Sequence, residues 1–175
     1  MKNIAILFVF TLCFIVISHA ALAESWDDNL IITVPESHDI MTGEYSEVEC
    51  LALAIYFEAR GEPRLGQELI AQLVVNRMAS FQYEDTACGV VRQPYQFSWT
   101  FDGKSDKPTD IAAYERSYKI ALAYLYMNTV APVPYASEIL NVHAKYDAYN
   151  RPVNPNWTDR REVKRVGQQV FYVRA

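Results

Sequence analysis

The sequence predicts an α+β fold, predominantly helical and closed by a small C-terminal β-hairpin. Apolar residues recur with helical period in three stretches between residues 47 and 128. Near the end, Val163–Val166 and Gln169–Val173 flank Gly167-Gln168, a two-residue turn of the kind that joins antiparallel strands. A chain of 175 residues with 51% hydrophobic content is long enough for one domain with a real core, and for little more. No internal repeat or low-complexity tract is visible.

Lys2 precedes an apolar run from Ile4 to Ile17, and Ala21-Leu22-Ala23 has the small-x-small pattern of a signal-peptidase site. Residues 1–23 therefore read as a signal peptide cleaved before Glu24, with an uncleaved membrane anchor as the alternative. Bulky Leu12 before Cys13 argues against a lipoprotein site. On the first reading the domain is exported, to the periplasm or the cell exterior, and has no stable membrane insertion. Residues 24–46 are acidic and polar, carry Pro35 and Gly43, and read as a linker or mobile arm. The domain then spans residues 47–175.

Its first helix starts at Ser46, where Ser46 and Glu49 form a capping-box pattern, and stops at Gly61. A second helix runs from about Leu65 to Ala79, buried through Leu65, Leu69, Ile70, Leu73 and Val74. From Phe81 to Lys107 glycine and proline break every period, so this middle reads as loops dense in aromatic residues. A third helix, Asp110 to Asn128, is periodic through Ile111, Tyr118, Ala121, Leu122 and Leu125. Ile139 to Ala144 reads as a short strand, followed by a proline-rich loop to Trp157 and the terminal hairpin.

The formal charge of −5 becomes −6 once Lys2 leaves with the signal, which argues against a nucleic-acid partner. After cleavage Cys50 and Cys88 are the remaining thiols, and an oxidising compartment permits a disulfide between them. Two buried free cysteines are the alternative. Of the histidines, His19 leaves with the signal and His38 lies in the linker, so His143 by itself cannot build a metal cluster. Neither a metal nor a cofactor is expected.

One residue breaks the helical pattern in an informative way. At about 100° per residue, Val48, Leu51, Ile55 and Glu58 share one face, so a carboxylate continues the core-facing stripe. Glu58 also lies in the last helical turn, beside the negative end of the helix. Burial and the helix C-terminus both disfavour a charged carboxyl and raise its pKa toward the range of a proton donor at neutral pH. A rim ion pair with Arg60 or Arg64 is the competing reading.

Six blocks in one order carry a resemblance. Cys50 through Glu62 (CLALAIYFEARGE) comes first, then Gly66-Gln67 with Val75-Asn76-Arg77, then Cys88-Gly-Val-Val91. Gln96-Phe-Ser-Trp99 follows, then Val142-His-Ala144 with Asn154-Pro-Asn-Trp157, and finally Val166-Gly167 with Phe171-Tyr172. Together they resemble the SleB/CwlJ-type cell-wall hydrolases, the group of the spore cortex-lytic enzymes. The resemblance implies a fold similar to lysozymes and lytic transglycosylases, peptidoglycan glycan strands as partner, and Glu58 as catalytic acid. The chain is expected to act as a monomer.

On that footing the expected reaction is cleavage between N-acetylmuramic acid and N-acetylglucosamine, with Glu58 as general acid and base in lytic transglycosylation. The alternatives are hydrolysis with Asp102 or Asp147 as second carboxylate, and a non-catalytic glycan-binding protein. Glu62, beyond the helix stop, reads as a brace for Arg60 or the following loop. Gln96, Phe97, Ser98 and Trp99 offer amide, hydroxyl and aromatic groups suited to sugars, although Trp99 suits a core equally. Gln72 and Asn76, four apart, either line a groove or cap neighbouring loops. His143 and Tyr146 are candidates to orient Glu58 or hold a sugar oxygen. The chain departs from its relatives in two places: Tyr95 and Phe101 stand where many exported members carry cysteines, and the stretch between His143 and Pro155 is longer.

Overall fold

A computed structural model describes residues 39–145 and 150–175. The expected signal peptide, most of the expected linker, Tyr146 and Asp147 lie outside the described residues. Four helices and a three-stranded sheet occur among those described: α1 (Glu47–Ala59), α2 (Arg64–Met78), α3 (Ala87–Arg92), α4 (Ile111–Tyr126), β1 (Asn141–Ala144), β2 (Arg160–Val166) and β3 (Gln169–Arg174).

Helix α1 is the centre of the fold. It begins with the expected capping box: Ser46 Oγ accepts from the Glu49 amide, and Glu49 Oε2 accepts from the Ser46 amide at 2.7 Å. Nine of its thirteen residues are buried, so it is apolar almost all round, as a helix wrapped by others must be. It packs against α2, α3 and α4. Leu51, Leu53 and Ile55 are fully buried, each contributing about 1.5–3 kcal/mol of apolar transfer.

The helix ends at Ala59, with Arg60 as its cap in right-handed geometry, and Gly61 does not adopt the left-handed conformation expected of a glycine stop. The Glu62 amide closes a tight turn onto the Ala59 carbonyl. Pro63 then caps α2, and its ring disfavours helical backbone at Glu62. Proline, more than glycine, breaks the chain here.

Between residues 81 and 107 the expected loops contain an unforeseen helix, α3. Thr86 Oγ1 caps it by accepting from the Gly89 amide at 3.0 Å. Six residues with an internal glycine are too few to show a period. Cys88 lies on α3 and forms the disulfide with Cys50, joining α1 to a helix instead of a loop, with a Cα separation of 5.0 Å. Helix α4 follows the expected third helix closely, capped by Asp110 through the Ala113 amide.

The terminal hairpin forms as expected, turning at Gly167 with φ of +53°, a conformation that favours glycine. Strand β1 joins it: it pairs antiparallel with β3, giving the order β1-β3-β2. Val170, Phe171 and Val173 on the central strand are buried, whereas β2 is an edge strand rich in charge, which discourages further pairing.

The end of the expected linker is folded onto the domain. Ile40 is fully buried, its amide donates to Asp106 at 2.7 Å, and Arg92 donates to the carbonyls of Ile40 and Gly43. Backbone hydrogen bonds to buried side chains hold this segment where composition alone suggested freedom. Among the described residues no helix is long and apolar enough to cross a membrane.

The disulfide closes a loop of 38 residues. Cys50→Ser with Cys88→Ser is expected to lower unfolding free energy by about 2–4 kcal/mol, read by urea denaturation beside the oxidised parent.

Candidate active site

Glu58 sits in the last turn of α1, where helix geometry turns its side chain along the stripe begun by Val48, Leu51 and Ile55. The residue keeps partial exposure, yet protein surrounds its carboxyl closely. Burial raises its pKa from an ordinary 4.5 to about 7, and the Arg77 charge opposes that rise.

Arg77 was not singled out as a functional residue from sequence. It is 5% exposed, donates through Nε to the Leu140 carbonyl at 3.0 Å, and lies over the rings of Tyr83 and Phe97. Its Nη1 is buried without a hydrogen-bond partner. Desolvation pulls its pKa down while Glu58 and Tyr83 pull it up. The signal was present: Arg77 continues the Leu69–Leu73 stripe of α2 four residues on, a charge on a core face as Glu58 is.

Two contacts tie the C-terminal hairpin to the Glu58 region. Gln169 Nε2 donates to the backbone carbonyl of Glu58 at 2.8 Å, capping a carbonyl that the helix end leaves open. Glu62 Oε2 accepts from the Gln168 amide at 3.0 Å in the β2–β3 turn. Glu62 therefore braces a turn 106 residues away, more distant than the Arg60 or nearby loop expected from sequence. A Cβ on Gly167 would collide with the Glu62 carboxylate, so glycine is required for close approach as well as for φ.

The remaining candidates separate. Gln72 is buried and donates to Asn76 Oδ1 at 2.8 Å, while Asn76 Nδ2 donates to the carbonyls of Ala136 and Ile139. This pair secures the segment leading into β1, the loop-capping alternative. Phe97 is fully buried and Trp99 nearly so, its ring stacked on Phe57 at 4.7 Å, whereas Ser98 is exposed and Gln96 half-buried. Phe97 and Trp99 thus pack the wall beside α1, and Gln96 and Ser98 stay accessible.

His143 is held by neighbours on the sheet. Its Nδ1 meets the Ala144 carbonyl at 2.6 Å and its Nε2 meets Tyr172 Oη at 2.8 Å, so a neutral ring donates from Nδ1 and accepts at Nε2. It stacks on Tyr172 and meets Trp157 edge-on. In the strand register His143 opposes Val170, while Gln169, which holds Glu58, opposes the next residue, Ala144. His143 and Gln169 therefore lie on opposite faces of the sheet. Tyr146 lies outside the described residues.

Asp102, a candidate second acid, is paired with Lys104 at 3.0 Å, and the Lys104 amide and ammonium hold its pKa below the usual carboxylate value. Asp147 lies outside the described residues.

The profile of a family described as Cell Wall Hydrolase matches residues 61–172, nearly two thirds of the chain, starting three residues after Glu58. The spore cortex-lytic enzyme of Bacillus subtilis is 39% identical over 66 residues, 37% of this chain and 22% of that protein. The spore cortex-lytic enzyme of Oceanobacillus iheyensis is 34% identical over 73 residues, 42% of this chain and 25% of that one. The matched region thus spans about a quarter of the length of these curated relatives. Among solved structures, the catalytic domain of the germination-specific lytic transglycosylase SleB from Bacillus anthracis matches with a TM-score of 0.54 and 26% identity, covering 74% of this chain and 97% of that domain. The Bacillus cereus SleB catalytic domain matches in fold with a TM-score of 0.52 at 23% identity, covering 78% of this chain and 98% of that one.

A carboxyl raised in the folded state binds a proton that the unfolded chain releases. Its stabilising share is present below about pH 4.5 and is lost as pH rises through about 7. Glu58→Gln is therefore expected to flatten the stability profile between pH 5 and 8, and to exceed the parent at pH 8 by on the order of 2 kcal/mol in urea unfolding.

Proposed function

Because the chain belongs to the cell wall hydrolase family, we propose that it cleaves the glycan strands of peptidoglycan by lytic transglycosylation, with Glu58 as both acid and base. The observation that carries this reading is a carboxyl on the core-facing stripe of α1, crowded by protein so that burial raises its pKa to about 7. Likeness to a catalytic domain described as a lytic transglycosylase, over nearly all of that domain, supports it.

Protonated Glu58 gives its proton to the glycosidic oxygen as the bond from C1 of N-acetylmuramic acid to N-acetylglucosamine breaks. Positive charge develops at C1 and the carboxyl becomes a carboxylate. That carboxylate then takes the proton of the muramic C6 hydroxyl as its oxygen bonds to C1, closing a 1,6-anhydro ring. Glu58 ends protonated, and no water is consumed. One group does both jobs best when its pKa lies near the working pH.

Ordinary glycosidases need a second carboxylate about 5–10 Å from the first. Glu62 is occupied with the Gln168 amide, and Asp102 is held ionised by Lys104 on an exposed loop. Likeness to a domain described as a lytic transglycosylase favours that reaction over hydrolysis with Asp102 or Asp147 as second carboxylate. Gln96 and Ser98 are the sequence candidates left accessible for the acetamido and hydroxyl groups of the substrate. Phe97 and Trp99 pack the wall beside α1, Gln72 and Asn76 hold the segment into β1, and His143 with Tyr172 supports the sheet. The signal-peptide pattern of residues 1–23 supports action outside the cytoplasm.

Mass spectrometry of peptidoglycan digested by the protein is expected to show anhydromuramyl ends, reduced about 10²–10⁴-fold in rate by Glu58→Gln. Reducing ends would identify a hydrolase instead, and absence of product from the parent would sink the enzymatic reading. Glu62→Gln keeps an oxygen for the Gln168 amide and is expected to retain turnover within a few-fold. A thousandfold loss there would make Glu62 a chemical participant.

A further inference from the structure

We propose that Tyr95 and Phe101 form an aromatic platform that binds a sugar ring of the glycan strand outside the cleavage point. This rests on the reading of peptidoglycan as substrate. The two rings stack at 6.1 Å with planes 29° apart, and Tyr95 is 95% exposed. Large apolar rings held open to water in this way mark binding surfaces.

The backbone makes the exposure costly. Gln93 to Gln96 is a turn closed by the Gln96 amide on the Gln93 carbonyl, with Pro94 second and Tyr95 third at φ of +64°. A turn with proline second and positive φ third calls for glycine or asparagine there. Tyrosine in that place is strained, and strain of this kind gathers where a side chain must be presented. Tyr135 also has positive φ, but the Arg161 guanidinium lies over its ring at 5.2 Å. Phe81 is equally exposed but lacks the strained backbone.

Position favours a sugar over a protein partner. Tyr95 and Phe101 bracket the segment Gln96–Thr100, whose Trp99 stacks on Phe57, the residue beside Glu58. Beside Phe101 lies an open depression of about 390 Å³, edged by Thr100, Lys104, Asp39 and Asp106. Thr100 and Asp106 are buried and bonded to Phe97 and Ile40, and the exposed Asp39 and Lys104 side chains leave an aromatic face with a polar rim that suits an N-acetylated hexosamine.

The test uses the full chain carrying Glu58→Gln, so that substrate survives, and measures sedimentation with purified peptidoglycan. Tyr95→Asn is expected to weaken binding about tenfold while its Tm equals or exceeds the parent's, because asparagine tolerates positive φ. Tyr95→Trp, which keeps a ring, is expected to bind within twofold. A merely structural tyrosine would lower binding and Tm together, and that result, or unchanged binding by Tyr95→Asn, would overturn the platform. If the wild-type chain released no fragments from peptidoglycan and the Glu58→Gln chain did not sediment with it, the functional reading would fall and the platform with it. Normal release with unchanged Tyr95→Asn binding would remove the platform alone.

Discussion

Everything at the candidate site depends on how the C-terminal hairpin is seated against the end of α1. Two hydrogen bonds set it: Gln169 to the Glu58 carbonyl and the Gln168 amide to Glu62. They join residues more than a hundred positions apart, so the helix end that carries the acid is fixed by the last strand of the fold. The contact requires a glycine at 167, because the Glu62 carboxylate occupies the space of a side chain. Glu58 and Glu62, four apart across a turn, differ: protein crowds the Glu58 carboxyl, whereas Glu62 accepts the Gln168 amide.

Opposed electrostatic effects then set the acid. Burial raises the Glu58 pKa and the Arg77 charge opposes that rise, leaving it at about 7. Arg77 is itself buried and fastened to Leu140 by Nε, so its charge cannot swing away. The segment that Arg77 grips is also gripped by Asn76 through two carbonyls. Neighbouring α2 residues thus hold the entry to β1 and supply the counter-charge. Burial and the Arg77 charge together place the Glu58 pKa in the range of general acid chemistry.

Much of this was legible in the sequence, for reasons that are physical. Glu58 stood out because a carboxylate on an apolar stripe violates the pattern that builds a helix, and the Ser46 box and Gly167 turn have local chemistry that reads directly. Arg77 obeys the same logic on α2 and was readable by it. What the chain conceals is long-range pairing: the union of β1 with β3, the reach of Glu62 to Gln168, and Ile40 folding back onto Asp106. Helix α3 was hidden by its brevity. Phe97 and Trp99 show a further limit, since an aromatic residue suits a sugar and a core equally until burial is known.

The central claim is that this fold holds the Glu58 carboxyl half-protonated near neutral pH. Its most direct test is a carbon-13 NMR titration of glutamate side-chain carboxyls, with the Glu58 resonance assigned by its loss in Glu58→Gln. A midpoint near 7 is the expected result. A midpoint near the ordinary glutamate value of about 4.3 would contradict the account, because such a group could not hold the proton the leaving oxygen needs.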